Sequence, residues 1–254
     1  MPQIDITLPS GARGRIRGLK GREVNLFANR ENARRNKTAL EILNNVWLET
    51  HDSGPLYKDK INWSEAPLCD RFVALFKARI ASFGADYTFK HQCSGCGKRY
   101  EWTEDLEKRE VRPMPAESIE TFAAGNRFRT SVRDSEGNVR AVTFQLLTPK
   151  LEEKINTAQA VAPREKATVG LAQRIVAVQG VEDGKAAIKQ FIEDIDAGAM
   201  FDLVDAMDEV DGGIDTTITV ECPHCGWEEE MELPLEEEFW KPARPKRSTP
   251  STEM

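Results

Sequence analysis

The sequence lacks any long apolar run, and no stretch approaches the roughly 20 residues that a bilayer-spanning helix requires. We therefore expect no membrane-spanning helix and no membrane partner. The segment 1–8 is short and polar, without the basic and apolar regions of a secretory signal, so we expect none. Of the 254 residues, 40% are hydrophobic and 30% are charged. This composition predicts a soluble protein of one large or two small domains.

Cysteine is scarce, and its count is odd. The five cysteines form two C-x-x-C pairs and leave Cys69 on its own, which argues against the disulfide framework of an extracellular protein. Cys69 lies in an apolar stretch and is predicted to be a small buried hydrophobic residue. Together with the absent signal segment, this pattern predicts an intracellular protein.

The groups that commonly carry catalysis are also few. The chain has only three histidines, and apart from Cys222 and His224 no nucleophile lies next to a base in the sequence. The carboxylates within 228–238 are crowded in polar sequence, which is typical of a solvated surface rather than of an acid–base pair. No phosphate-binding signature fits the closely spaced N-terminal glycines, Gly11, Gly14, Gly18 and Gly21. A hydrolase or redox enzyme is therefore the least supported class, and we expect no small-molecule substrate.

Charge is unevenly distributed along a chain whose formal net charge is -7. Segment 11–37 carries nine basic and two acidic residues, whereas segment 181–240 carries 19 acidic and two basic residues. We hypothesise that the basic segment docks one protein partner and the acidic segment another. The alternative is two solvated faces that bind no partner.

Hydrophobic periodicity divides the first half of the chain into a hairpin, helices and a second hairpin. The alternating segments 4–8 and 13–19 flank a Pro-Ser-Gly turn and predict an N-terminal β-hairpin. Helical spacing follows within 22–49, and again from Ser64, a candidate N-cap, to Gly84. Strands are predicted around 87–91 and 100–102, on either side of the first cysteine pair.

Much the same order of elements is predicted after a proline-containing connector at 107–115. Segments 127–132 and 139–147 form a second predicted hairpin around an Asp-Ser-Glu-Gly-Asn turn. Strands at 216–220 and 227–233 flank the second cysteine pair. Between them lie four stretches with helical spacing, 150–160, 164–178, 186–195 and 200–210.

We therefore predict an α+β fold made of two similar halves, residues 1–107 and 108–240, followed by a disordered tail at 241–254. Each half holds a β-hairpin, helices and a zinc-ribbon knuckle, and one four-cysteine metal site joins the two. The hairpin ends 74 residues before the knuckle in the first half (Leu19 to Cys93) and 75 residues before it in the second (Leu147 to Cys222). Because side-chain identity between the halves is weak, a convergent layout remains the alternative.

The two cysteine pairs predict a structural metal site. A C-x-x-C spacing lets two thiolates chelate one ion from a single turn, and the glycine after each pair suits a tight knuckle. With four protein ligands the ion has no open position, so it would hold structure and not catalyse. The predicted ion is Zn²⁺, with iron the less favoured alternative because the same pairs occur in rubredoxin-type sites. The predicted ligands are Cys93, Cys96, Cys222 and Cys225.

Other interpretations of the cysteine region remain open. His91 and His224 flank the knuckles and could each replace a cysteine as ligand, although a surface histidine beside a complete site is the simpler interpretation. A thioredoxin-like redox motif is less favoured, since that motif opens a helix after a strand. Zinc ribbons often bind nucleic acid, so a zinc-ribbon nucleic-acid-binding protein is the main alternative. The acidic residues around the second knuckle would repel a phosphate backbone and speak against it.

The opening hairpin and the segment after it resemble a known family. The residues concerned are the Leu-Pro-Ser-Gly turn at 8–11 and the sequence Arg-Ile-Arg-Gly-Leu-Lys-Gly-Arg-Glu at 15–23, followed by a helical stretch and the paired cysteine knuckles. Together they resemble the T4-type bacteriophage baseplate proteins involved in assembly of the baseplate hub.

The resemblance implies a phage tail protein that is not an enzyme and acts through contacts with other tail or baseplate proteins. It implies synthesis in the host cytoplasm and a place at the hub or central part of a contractile-tail baseplate. The protein would either remain in the virion or leave once assembly is complete.

Overall fold

The computed structural model describes residues 2–26, 37–235 and 237–240. These residues form two compact units, each built from separated stretches of the chain. The large unit takes its residues from 1–82 and 110–215, and the small unit takes its residues from 83–109 and 216–240. Both mix helices with small antiparallel sheets, which confirms a mixed α and β fold. The units do not follow the boundaries of the two predicted halves, and the predicted tail at 241–254 lies outside the described residues.

The secondary structure consists of short strands and mostly short helices. In chain order, the strands are β1 (Gln3–Thr7), β2 (Arg13–Arg17), β3 (Trp47–Asp52), β4 (Asp86–Gln92), β5 (Arg99–Asp105), β6 (Val111–Arg112), β7 (Phe128–Arg133), β8 (Val139–Phe144), β9 (Ile175–Val178), β10 (Gly213–Ile214), β11 (Thr217–Glu221) and β12 (Glu228–Glu232). The α-helices are α1 (Gly21–Leu26), α2 (Lys37–Val46), α3 (Leu68–Phe83), α4 (Ala116–Ala123), α5 (Pro149–Val161), α6 (Lys166–Arg174), α7 (Lys185–Asp194), α8 (Ala197–Glu209) and α9 (Glu237–Trp240). In the part of the chain that the structure describes, no helix is both long and apolar enough to cross a bilayer.

Two three-stranded sheets of the large unit share one topology. In the first, β1 and β2 form a hairpin and β3 pairs antiparallel with β2. In the second, β7 and β8 form a hairpin and β9 pairs antiparallel with β8. In both cases helices separate the hairpin from the third strand, and that strand starts directly after a helix. The duplication stays a prediction, and this shared order supports it.

The third strand of each sheet differs from the sequence-based expectation. Helices were expected to extend to 49 and to 178, but the structure ends them at Val46 and Arg174 and continues as β3 and β9. Short apolar runs such as Ile-Val-Ala-Val fit either helix or strand, and here long-range pairing with the hairpin decides. The sequence analysis also missed α4 entirely.

The start of α3 also lies later than the sequence predicts. Ser64 was the expected N-cap, yet its hydroxyl donates to the Asn62 side chain within a turn, and the helix begins at Leu68, directly after Pro67. A proline is well placed there because the first helical N–H groups have no intrahelical acceptor. Gly84 adopts φ +88 directly after the helix, which agrees with its predicted role as the terminating residue.

Two apolar clusters fill the large unit, and α3 contributes to both. One cluster packs the β1–β3 sheet against α2 and α3, with Ile16, Leu43 and Val73 buried. The other packs the β7–β9 sheet against α6, α7 and α8, and it includes Cys69 from the first turn of α3. Cys69 is 6% exposed, so the prediction of a small buried residue is confirmed.

A buried carboxylate ties α3 to the turn of the N-terminal hairpin. Asp70 is fully buried and accepts hydrogen bonds from the Ser10 backbone N–H (2.9 Å), the Ser10 hydroxyl (2.5 Å) and the Tyr57 hydroxyl (2.7 Å). Burial raises the pKa of Asp70, against the hydrogen bonds that favour its charged form. Removing this side chain would leave three donors unsatisfied in the core.

A buried ion pair fixes the entry into α1. Glu23 is fully buried and lies 3.0 Å from the guanidinium of Arg17, which also donates to the Asn45 carbonyl. Its carboxylate accepts the Lys20 backbone N–H at 2.7 Å, which is the glutamate half of a capping box. Burial opposes ionisation, but hydrogen bonds from Arg17 and Arg22 lower the pKa of Glu23 to about 2.

The position of Arg17 corrects one part of the docking hypothesis. This arginine was counted in the basic segment 11–37, but it is only 5% exposed and its charge is used internally. Arg13 and Arg15 remain accessible and form surface ion pairs with Asp52 and Asp5, which contribute little to stability. Residues 27–36 of the basic segment lie outside the described residues.

Replacing Glu23 with Gln should lower the free energy of unfolding by about 3–5 kcal/mol at pH 7, because it leaves Arg17 buried without a counter-ion. The measurement is equilibrium urea denaturation, with Glu41→Gln on the exposed face of α2 as the control.

The same pair predicts a pH dependence. The pKa of Glu23 is lowered on folding, so its stabilisation is complete above the ordinary value of 4.5 and is lost as the pH falls toward 2. The difference between wild type and Glu23→Gln should therefore shrink over this range. A difference that stays constant between pH 4.5 and 2.5 would contradict the assignment.

Candidate metal centre

The small unit contains two hairpins with matching knuckles. β4 pairs with β5 and β11 pairs with β12, each antiparallel, and each turn carries one C-x-x-C-G segment. In each knuckle the first cysteine donates its N–H to the carbonyl five residues on, at 2.9–3.0 Å, and accepts the N–H of the glycine four residues on, at 2.9 Å. The partners are Lys98 and Gly97 for Cys93, and Trp227 and Gly226 for Cys222. Both glycines have positive φ, +73 and +69, where a side chain would be strained.

The four predicted ligands converge on one point. The Sγ atoms of Cys93 and Cys225 lie 3.7 Å apart, and those of Cys96 and Cys222 lie 3.8 Å apart. All four sulfurs lie within 4.8 Å of one another. A tetrahedral ion with sulfur ligands at about 2.3 Å separates the sulfurs by about 3.8 Å. The four cysteines therefore fit a metal ion and could hold one.

Burial and backbone donors differ among the four thiols. The first cysteine of each pair is 1% exposed and the second is exposed. Burial opposes ionisation of Cys222, yet N–H groups of His224 and Cys225 lower its pKa to about 7. The N–H of Trp227 favours the Cys225 thiolate, but burial and the neighbouring sulfurs raise its pKa to about 12. Four thiolates this close repel one another, and a bound cation would neutralise their charge.

A carboxylate links the second hairpin to the first knuckle. Glu229 on β12 accepts from the Ser94 hydroxyl at 2.7 Å and lies 2.7 Å from Nε2 of His91. These hydrogen bonds, the one with His91 first, lower the pKa of Glu229. Ser94 lies inside the first C-x-x-C pair, so Glu229 orients the knuckle from outside the sulfur cluster, in the manner of an outer-shell partner.

The histidines next to the knuckles take other positions. His91 faces Glu229 and Tyr100, with its ring 5.6 Å from that of Tyr100. His224 is exposed, and within the described residues neither histidine belongs to the sulfur cluster.

The sequence analysis missed Glu229 because it treated the whole acidic strand as solvated. Glu229 pairs with buried Val220 across the ladder, whereas Glu228 and Glu230 point to the opposite, exposed face. The signal that could have found it is the period-two alternation of β12.

Replacing Glu229 with Gln should weaken metal binding by the cysteine site about 10- to 100-fold, because the first knuckle loses its charged partner. Competitive titration of the metal-free protein with a chromophoric zinc chelator measures this affinity.

Glu230→Gln is the matched control for this experiment, since it removes the same charge from the exposed face of the same strand. Equal affinities for the two variants would show that general electrostatics, and not the contact with Ser94 and His91, sets the strength of binding.

Comparison with known proteins places the chain in a family. A protein-family model described as T4 bacteriophage base plate protein matches residues 1–240. Neither the curated proteins nor the solved structures contain a significant match. The match confirms the resemblance drawn from residues 8–23, the helical stretch after them and the paired cysteine knuckles, and it covers both hairpins of the small unit. The chain belongs to the T4 bacteriophage base plate protein family.

Proposed function

We propose that this protein is a non-enzymatic component or assembly factor of the baseplate hub and acts through protein–protein contacts. The observation that carries the proposal is the family match over residues 1–240. A baseplate family implies contacts with other phage structural proteins. In this proposal the chain is made in the host cytoplasm and works in the tail baseplate of the virion or during its assembly.

The cysteine site contributes structure to this role. We propose that Cys93, Cys96, Cys222 and Cys225 bind one Zn²⁺ ion, because four sulfurs with spacings of 3.7 and 3.8 Å suit tetrahedral coordination. Such a site has no open position for a substrate or water. The ion would neutralise the crowded thiolates and hold two hairpins that are far apart in the sequence.

Charge on the described surface supports separate docking faces. Arg13 and Arg15 project from β2 with side chains 61% and 38% exposed, and a competing acidic partner could replace their surface ion pairs. On the small unit, β12 exposes Glu228, Glu230 and Glu232. We propose that the first face binds an acidic partner and the second a basic one.

A zinc-ribbon nucleic-acid-binding protein is the alternative. Lys90, Lys98 and Arg99 are exposed around the first knuckle and could contact phosphates. The exposed glutamates of β12 continue from the second knuckle of the same unit and would repel a nucleic-acid backbone. The charge around the cysteine site therefore favours a protein partner.

The direct test is affinity capture of the tagged full-length chain from infected cells, with nuclease treatment and identification by mass spectrometry. We expect other tail or baseplate proteins in the captured material. Nucleic acid dominating an untreated sample, with no tail protein in the treated one, would overturn the proposal in favour of the zinc-ribbon alternative.

A double substitution tests the basic docking face. Arg13→Gln with Arg15→Gln should reduce capture of one partner at least about tenfold. The free energy of unfolding should stay within about 1 kcal/mol of the wild-type value, because exposed ion pairs contribute little to folding. Arg129→Gln, an exposed arginine on β7, is the matched control. Full retention of every partner by the double variant would refute the docking assignment.

A further inference from the structure

An open pocket in the large unit is lined mostly by apolar side chains. It has a volume of about 380 Å³ and is bounded by the first turns of α3, by α2, by the start of α5 and by the segment 211–214. Most of its wall is apolar and half-buried, which is the composition of a binding site rather than of a solvated crevice. The apolar residues are Ala39, Leu68, Phe72, Leu75, Leu147 and Ile214.

One charged side chain that lines this pocket, Arg71, has two nitrogen donors without an acceptor among the described residues. Arg71 is 2% exposed, and its Nε and Nη1 atoms donate to no acceptor among the described residues. Glu152 lies 3.5 Å from Nη1, which is close enough for an ion pair but lacks hydrogen-bond geometry. A buried donor without an acceptor costs about 1–3 kcal/mol, and more when the group is charged. A bound acceptor would relieve this cost.

We propose that this pocket binds a partner segment in which an acidic side chain lies beside a bulky aliphatic one, with the carboxylate accepting from Arg71. The inference deepens the proposed function, on which it rests, by naming one chemical feature of the partner. A guanidinium presents two parallel N–H groups that match a carboxylate, which makes an acidic side chain a better occupant than a neutral amide.

The shape of the pocket favours a protein segment over a free small molecule. The pocket is open on one side and its apolar wall is half-buried, whereas a small-ligand site encloses 70–90% of its ligand. Side chains carried on a larger partner surface can fill such a pocket while the surrounding contacts exclude water.

Two further carboxyl groups, those of Glu152 and Asp211, line the pocket together with Arg71. Burial raises the pKa of both carboxyl groups, opposed in Glu152 by Arg71 and in Asp211 by a hydrogen bond with Cys69. Asp211 already accepts the Gly212 N–H at 2.8 Å. The Glu152 oxygen nearest Arg71 lies 3.5 Å from Nη1, and Nε has no acceptor among the described residues, so this donor is left for an incoming carboxylate.

The test uses two fluorescein-labelled peptides with blocked ends, one with Leu-Glu-Leu and one with Leu-Gln-Leu in the same Gly-Ser frame. Fluorescence anisotropy with the full-length protein should show about 10- to 100-fold tighter binding of the Glu peptide, as expected for charge-assisted hydrogen bonds. Methyl NMR spectra should shift at Leu75, Leu147 and Ile214. Equal binding of both peptides, or shifts elsewhere only, would overturn the proposal.

Two variants separate binding from folding. Arg71→Lys keeps the charge but loses the planar fork, so it should remove most of the preference for Glu. Ala39→Trp should fill the pocket from its half-buried edge while leaving Arg71 in the chain, and it should abolish binding even where Arg71→Lys unfolds the protein. Ala160→Trp, on the exposed surface of α5, is the matched control.

Isocaproate, a free carboxylate with a branched aliphatic tail, is the small-molecule probe. Tighter binding of isocaproate than of the Glu peptide would overturn the proposal in favour of a small-molecule site.

Capture of tail proteins distinguishes failure of the pocket proposal from failure of the proposed function. If wild type and Ala39→Trp capture the same tail proteins equally well, the pocket proposal fails and the baseplate proposal stands. If wild type captures no tail protein, the baseplate proposal fails, and the peptide experiment still decides whether the pocket recognises an acidic segment.

Discussion

The convergence of four sulfurs is the constraint on which the small unit depends. Its two hairpins come from stretches separated by more than one hundred residues, and within the described residues they form separate two-stranded sheets with no shared ladder. At the knuckles, Cys93, Tyr100 and Cys222 form a small apolar cluster with Trp102 beside them. The Trp227 side chain of the second hairpin also lies against Gly95 of the first. The cysteine cluster and the Glu229 contacts join the hairpins at the same place, and the Tyr87 hydroxyl donates to the Pro234 carbonyl at 2.7 Å. Thiolates this close repel one another, so a bound cation changes the cluster from a source of strain into a link.

The residues that carry the family resemblance serve mainly to build the fold. Ser10 donates to buried Asp70, and Arg17 pairs with buried Glu23. Gly18 leaves no room for a side chain, since a Cβ there would lie 2.7 Å from the Ala81 carbonyl oxygen. A motif whose members are buried and bonded to one another identifies the family through its architecture. In the proposed function, recognition of partners falls to exposed residues in and next to this motif, such as Arg15 and Arg13.

Local patterns predicted most of the hairpins, the helical segments and the cysteine cluster, because turn residues, periodicity and C-x-x-C spacing are properties of neighbouring residues. The strands β3 and β9 could not be found this way, since each becomes a strand by pairing with a hairpin far away in the sequence. Glu229 and Arg71 could not be predicted from the sequence for the same reason. Glu229 faces Ser94 across 135 residues, and Arg71 becomes an unsatisfied donor only when α2, α3 and α5 meet around it. The resemblance to the baseplate family could be drawn from the residues at 8–23, the helical stretch after them and the paired cysteine knuckles, because these short segments combine several packing requirements in a few residues.

Because the chain is synthesised from its N-terminus, the two halves of the cysteine site are made at different times. The ribosome releases Cys93 and Cys96 first, and 125 further residues must be synthesised before Cys222 and Cys225 follow. The free-energy cost of closing so long a loop rises only slowly with its length, and the intervening segment 110–215 belongs to the large unit. The first knuckle alone offers only two sulfurs, which is half of a tetrahedral ligand set. A four-sulfur site therefore exists only in a chain synthesised at least as far as Cys225, so the same cluster that joins two hairpins also distinguishes such chains from those truncated before it.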